Sequence, residues 1–156
     1  MRISRREARI KVLNVLYAHW IGKDPIGKVK KDLIADVEDA DKLLFINKLI
    51  DVVINNVKEF DKLIKDKLDN WEFSRIAMID KIAMRMALAE MLFFPEIPTK
   101  VTINEAIDIA KEYSTKTSGS FINGILDSIN VDLTKNKKLN KTGRGLLDIK
   151  SKRNEK

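Results

Sequence analysis

Four arginines stand near the start of the chain, at Arg2, Arg5, Arg6 and Arg9, and their chemistry is anion binding. A guanidinium is planar and permanently charged, pairs bidentately with phosphate and stacks on flat rings. Single-stranded RNA is usually held by such contacts. On a helix Arg5 and Arg9, four residues apart, share a face, and Arg2 and Arg6 lie close by if the first turn frays. The positive end of the helix dipole acts in the same direction. A solvated cationic turn explains the same residues without a ligand, and spacing alone leaves both readings open. Tyr17 is equally double: a ring stacking on a base at the edge of this patch, or a half-buried residue packing a helix seam.

Catalytic chemistry finds little to work with. His19 is the single histidine and the chain has no cysteine, so a His-containing triad, a His-rich metal site and thiol chemistry fall away. No glycine-rich loop follows a strand, which removes the nucleotide-binding motifs. The carboxylates are scattered over faces expected to be exposed. The sequence therefore reads as a non-enzyme with no metal and no cofactor. No apolar run approaches the ~18–20 residues that span a bilayer, and no signal peptide is visible. Together with the absent cysteines, this suits a cytoplasmic protein with no membrane partner.

Length and composition are those of one globular domain: 156 residues, 44% hydrophobic and 34% charged. The net charge of +7 is unevenly placed. From Thr134 to Lys156 nine basic residues face two acids, Asp148 and Glu155, which is +7 by itself. Residues 1–11 carry five basic residues against Glu7, or +4, and residues 12–133 sum to −4. Basic ends suit phosphates, and a mildly acidic middle suits a basic partner.

The elements that must position these groups are helical almost throughout. Ser4 and Glu7 form a capping box that opens a helix reaching about Ile21, with Ala8, Val12, Val15, Leu16 and Trp20 inward. Asp24-Pro25 starts a second, to about Asp36. Asp39 or Asp41 caps a third from Lys42 to Val57, and a fourth covers roughly Phe60–Leu68. Ser74 caps a fifth that ends before Pro95 and Pro98. Thr102 and Glu105 form another capping box for a sixth, with Val101 and Ala106 as its staple and Ile103, Ala106, Ile107 and Ala110 on one face. A seventh buries Phe121, Ile122, Ile125, Leu126 and Ile129. Within it Gly124 is expected to admit a close backbone, and Asn123 to be hydrogen-bonded inside the fold. Trp71, Phe73, Phe93 and Phe94 are assigned to the core or to a junction between subdomains. The segment 134–156 lacks periodicity and is read as a disordered basic tail, so that 1–133 is the folded domain.

Particular motifs carry a resemblance. Arg5-Arg6-Glu7-Ala8-Arg9 followed by Leu16-Tyr17, then Asn70-Trp71, Arg75-Ile76, Asp80, Arg85-Met86-Ala87 and Glu90-Met91-Leu92, and above all Ile103-Asn104-Glu105-Ala106, Ala110-Lys111 and Phe121-Ile122-Asn123-Gly124, make the chain similar to the NusB family over residues 4–130. The resemblance implies an all-α fold of about seven helices in two helical bundles. It implies a transcription antitermination factor that binds boxA-type single-stranded RNA together with NusE, a small ribosomal subunit protein. Through NusE it would join the RNA polymerase antitermination complex, notably on ribosomal RNA operons. It places Lys116, Thr117 and Ser118, in the loop before the last helix, beside RNA, although capping by Ser118 explains that loop as well. It places Asp80, with Glu72 and Glu90, toward the basic partner. Two residues depart from the family pattern: Glu7 interrupts a basic run, and Thr117 stands where some members carry an acid. Two other readings accompany this one. The same domain occurs ahead of ribosomal RNA methyltransferases, which here would require the chain to continue past Lys156. A self-associating helical module, such as a homodimer covering the RNA face, is the other.

Overall fold

The computed structural model describes residues 2–147. Among them are seven α-helices, one short 3-10 turn and no strand. The helices are α1 (Arg5–Gly22), α2 (Ile26–Ile34), α3 (Ala40–Lys65), α4 (Asn70–Arg75), α5 (Met78–Phe93), α6 (Thr99–Tyr113) and α7 (Ser118–Lys135), and the 3-10 turn is Gly143–Leu146. The chain divides into two compact units, Met1–Asn55 and Asn56–Lys156. The division falls inside α3, where Asn56 leaves helical geometry with φ −124° and ψ 15°. The third and fourth helices read from the sequence are thus one element with a kink.

The first unit starts as the capping box predicts. Ser4 Oγ accepts from the Glu7 amide at 3.0 Å, and the Glu7 carboxylate takes the Ser4 amide at 3.4 Å. Helix α1 ends at Lys23, which adopts the left-handed conformation (φ 59°), while His19 Nδ1 lies 2.7 Å from the Asp24 carbonyl oxygen. Ala8, Val12, Leu13, Val15 and Leu16 are buried, as are Val29 and Ile34 of α2 and Phe45, Ile46, Leu49, Ile50 and Val53 of α3. Of the two acids expected to cap α3, Asp39 does so: its carboxylate accepts the Lys42 amide. That bond, ahead of the other influences, holds the Asp39 carboxyl below the ordinary aspartate range.

In the second unit α5 is buried nearly all round, from Ile82 to Met91, and packs against α6 and α7. A helix apolar on every side is a central one. Three expectations change here. A short helix, α4, stands where Ser74 was expected to open α5; its own capping box is Asp69 with Glu72. Ser74 instead donates to the Trp71 carbonyl. Helix α6 begins one turn before the Thr102–Glu105 pair, because Pro98 cannot donate and its carbonyl accepts the Thr102 amide. Thr102 is therefore inside the helix, buried, donating its hydroxyl to Glu90 Oε1 at 3.1 Å, and Val101 is exposed rather than stapled. Asn123 and Gly124 are exposed on α7, and a Cβ on Gly124 would meet nothing within 4 Å. The close approach occurs at Gly119 instead, where a Cβ would lie 2.6 Å from Lys111 Cε.

The stretch expected to be a tail is described as far as Leu147. Helix α7 runs to Lys135, and beyond it Lys141 is buried, its ammonium donating to the carbonyls of Glu90 (3.2 Å) and Phe94 (3.0 Å) at the end of α5. A cation at a helix C-terminus satisfies carbonyls that have no intrahelical donor. Gly145 sits so close to Pro95 that a Cβ would lie 2.0 Å from its carbonyl oxygen. The remainder of the expected tail, 148–156, lies outside the described residues.

Candidate nucleic-acid interface

In the first unit the four arginines separate into two pairs. Arg2 and Arg6 are exposed at the start of α1. Arg5 is half-buried with its guanidinium 4.2 Å from the Phe45 ring centroid, and Arg9, 3% exposed, lies 5.6 Å from the same centroid. The shared face expected of Arg5 and Arg9 is real, but it faces Phe45 of α3, a residue distant in the chain that no local pattern predicts. A cation over an aromatic face gains about 0.5–2 kcal/mol, more when desolvated. Arg9 thus serves the fold of this unit, and Arg2, Arg6 and the outer edge of Arg5 present charge to solvent. Tyr17, on the same helix, is 41% exposed, the partial burial of a ring with one side available.

In the second unit a groove of about 550 Å³ is formed by α4, the start of α5, the connection between α6 and α7, and the first turn of α7. It gathers several of the residues singled out in the sequence: Glu72, Asp80, Thr117 and Ser118 line it together with Trp71, Arg75 and Phe121. Lys116, exposed, belongs to the same connection. Ser118 is buried and does not cap α7; its hydroxyl donates to Asp80 Oδ2 at 2.9 Å, with Thr115 Oγ1 at 2.9 Å and Ser114 Oγ at 3.2 Å around it.

The acids expected to form a rim toward a partner are not alike. Glu72 is exposed, with its carboxylate engaged by the Asp69 amide in the α4 cap. Asp80 is 7% exposed and Glu90 2%. Glu90 cannot meet a partner from the interior, where it accepts from Thr102. The assignment of Glu90 to a contact surface is corrected for that reason.

The aromatic residues also redistribute. Phe94 and Phe73 are buried, as expected, but Trp71 is 64% exposed, Phe93 40% and Phe121 38%. Trp71 carries the Arg75 guanidinium 4.5 Å from its ring centroid. Sequence reasoning missed Trp71 because α4 was not foreseen. The pair Asp69 and Glu72, an acid three residues before a glutamate, was the available signal.

Elsewhere in this unit Arg85 pairs bidentately with Asp61 at 2.7 and 2.8 Å. Burial, then the Arg85 charge, pushes Lys81 below the ordinary lysine range, and Asp61 pulls it back. No helix among the described residues is long and apolar enough to cross a membrane.

The NusB family model matches residues 6–131. The chain belongs to the NusB family. A curated relative, the transcription antitermination protein NusB of Chloroherpeton thalassium, is 46% identical over 158 residues, covering 98% of this chain and 74% of its own. The crystal structure of T. maritima NusB superposes with a TM-score of 0.76 at 34% identity, covering 83% of this chain and 92% of that one. A crystal structure of antitermination factors NusB and NusE in complex with dsRNA shares the fold, with a TM-score of 0.73 at 24% identity, 80% coverage of this chain and 94% of the other. Membership in NusB places the protein among transcription factors rather than enzymes, as the sequence implied.

Proposed function

We propose that this protein is a cytoplasmic transcription antitermination factor that binds boxA-type single-stranded RNA together with NusE and helps polymerase read through terminators. The observation that carries the reading is membership in the NusB family in a chain that holds Arg6 exposed on the first turn of α1 and Arg2 exposed just ahead of it. Mechanistically, these arginines and the solvent edge of Arg5 neutralise phosphates and fix the position of the strand, and Tyr17 offers a ring about three turns further along the same helix. In the second unit, Lys116 and Thr117 carry a charge and a hydroxyl suited to RNA contacts of their own. Glu72 is the exposed acid available to a basic protein partner. Asp80 faces the groove and acts only on a group that enters it.

The decisive measurement is fluorescence anisotropy of a labelled boxA-type RNA at ~150 mM salt, where nonspecific phosphate binding is weakened, with and without NusE and with a scrambled RNA as control. Tighter binding of boxA RNA, enhanced by NusE, is the expected result. Equal weak binding of both RNAs, unaffected by NusE, would leave a basic helical module without this function.

A further inference from the structure

The stretch after α7 is in part a folded strap, and it lies beyond residue 131, where the match to the family model ends. Helix α7 closes in a Schellman motif: the Lys138 amide donates to the Leu133 carbonyl at 2.9 Å and the Lys137 amide to that of Thr134 at 3.1 Å. The strap then returns to the end of α5. There the Thr142 amide donates to the Pro95 carbonyl at 2.9 Å, and the buried Lys141 ammonium holds the carbonyls of Glu90 and Phe94. One cation is thus used as an internal anchor. Lys135, Lys137, Lys138 and Arg144 are exposed, and none of them forms an ion pair with a described residue. Asp132, the described acid nearest to them in the chain, is taken by Lys67 of α3. Glu96, next to Pro95, supplies one negative charge against these four positive ones.

Lys137 separates two explanations of this charge. It is the left-handed residue of the motif, with φ 56°, a position that favours glycine because a side chain is strained there. Cations near a helix C-terminus are expected on dipole grounds. Lys135 and Lys138 already meet that need, and it does not require a side chain at the strained position. Strain of this kind collects at functional positions. We propose that the strap is a second phosphate-binding surface, on which Lys137, Lys138 and Arg144 contact the phosphodiester backbone of RNA without reading its bases. The proposal rests on the RNA-binding reading above. The anchor at Lys141 presents these cations at set positions, so less freedom is lost on binding. Contacts of this class release counterions and show in salt dependence rather than in sequence preference.

The test uses the full chain and a ~20-nucleotide single-stranded RNA, in boxA-containing and scrambled forms, read by anisotropy from ~50 to ~300 mM salt. Lys137→Gln, Lys138→Gln and Arg144→Gln combined are expected to weaken both RNAs about tenfold at ~100 mM salt. The slope of log K against log salt should fall by about 2, near 0.7 for each phosphate contact, with the boxA-to-scrambled ratio unchanged. Lys137→Gly parts binding from folding: it is expected to raise the melting temperature by about 2 °C or more while weakening RNA about twofold to threefold. A purely structural role would raise the melting temperature and leave RNA affinity alone, which would overturn the proposal. An unchanged slope in the triple variant, or a loss confined to boxA RNA, would overturn it as well. Lys137→Gly decides the matter by itself if the triple variant folds poorly. An unchanged slope in the triple variant beside a reduced one in Arg6→Ala removes the strap and leaves the RNA-binding reading standing. Equal wild-type affinity for both RNAs, still weakened in the triple variant, keeps the strap and removes the boxA reading. Failure of either RNA to bind removes both. Binding to vesicles of acidic phospholipid, lost in the triple variant while RNA affinity is unchanged, would give the surface to a membrane instead.

Discussion

The first turn of α1 and the groove beside Trp71 hold their charges in opposite ways. Arg2 and Arg6 stand in solvent, where their attraction for phosphate is long-ranged, weakened by salt and indifferent to base identity. Asp80 is buried to 7% exposure with an unpaired oxygen, so it acts only at contact distance and discriminates by whether a donor is present. One set of charges acts at a distance, the other only on a group in contact with it. The same contrast runs inside α1, where Arg9 is chemically identical to Arg6 but buried, with Phe45 beside it. Residue type alone does not assign a role; solvent access does.

That contrast can be broken most directly at Arg9. Arg9→Ala removes a buried stem and a cation from beside an aromatic ring and should cost about 2 kcal/mol or more, read as a lower midpoint in urea. An unchanged midpoint would mean that Arg9 is not a structural residue and that burial fails to sort the arginines.

A smaller effect is expected at Gly124, exposed in the middle of α7 with open space around it. Gly124→Ala should raise stability by about 1 kcal/mol, the helix-propensity difference. If RNA affinity falls at the same time, the strand passes over α7 near Phe121. Unchanged affinity would leave the surface around Gly124 outside the RNA contact.

Arg6→Ala sharpens the comparison from the other side. Its stability should stay within about 0.5 kcal/mol, while RNA affinity drops a few-fold and the salt dependence of log K loses about 0.7 in slope. Retention of the full slope would remove Arg6 from the phosphate contacts.

The smallest expected effect lies at Asp39. Its carboxyl is held below the ordinary value of 3.8, first by the Lys42 amide, so the folded state favours the ionised form. The stability it contributes is complete above pH 3.8 and is lost as pH falls through the lower folded value. Asp39→Ala should therefore lower the melting temperature at pH 7 and leave little difference from wild type near pH 2. An equal deficit at both pH values would mean that Asp39 acts through something other than its charge.

Much of the fold was legible because it rests on local chemistry. The Ser4–Glu7 box, the Asp39 cap and the buried faces of α1, α3, α5 and α7 follow from residue type and 3.6-residue spacing. The Thr102–Glu105 pair has the same pattern as Ser4–Glu7 and a different fate. Pro98 starts α6 earlier, and Glu90 of α5 supplies the acceptor for the Thr102 hydroxyl, a partner twelve residues away that no local pattern contains. The candidate site was legible in part for the same reason. Glu72, Asp80, Thr117 and Ser118 were named from the sequence, and the fold assembles them in one groove. The sequence assigns Trp71 to the core or a subdomain junction and Phe121 to the buried face of α7, because large aromatic residues usually go there; their exposure depends on what the neighbouring helices leave uncovered.

By itself the sequence determined helices, their apolar faces, the basic ends of the chain and the absence of cysteine, because these depend on composition and on contacts a few residues apart. Only the tertiary structure decided that Arg9 and Glu90 are interior, that Lys141 closes the end of α5, and that Asp80 lies in a groove with one oxygen unpaired. Burial and partnership are set by residues distant in the chain, and those appear only when the helices are packed.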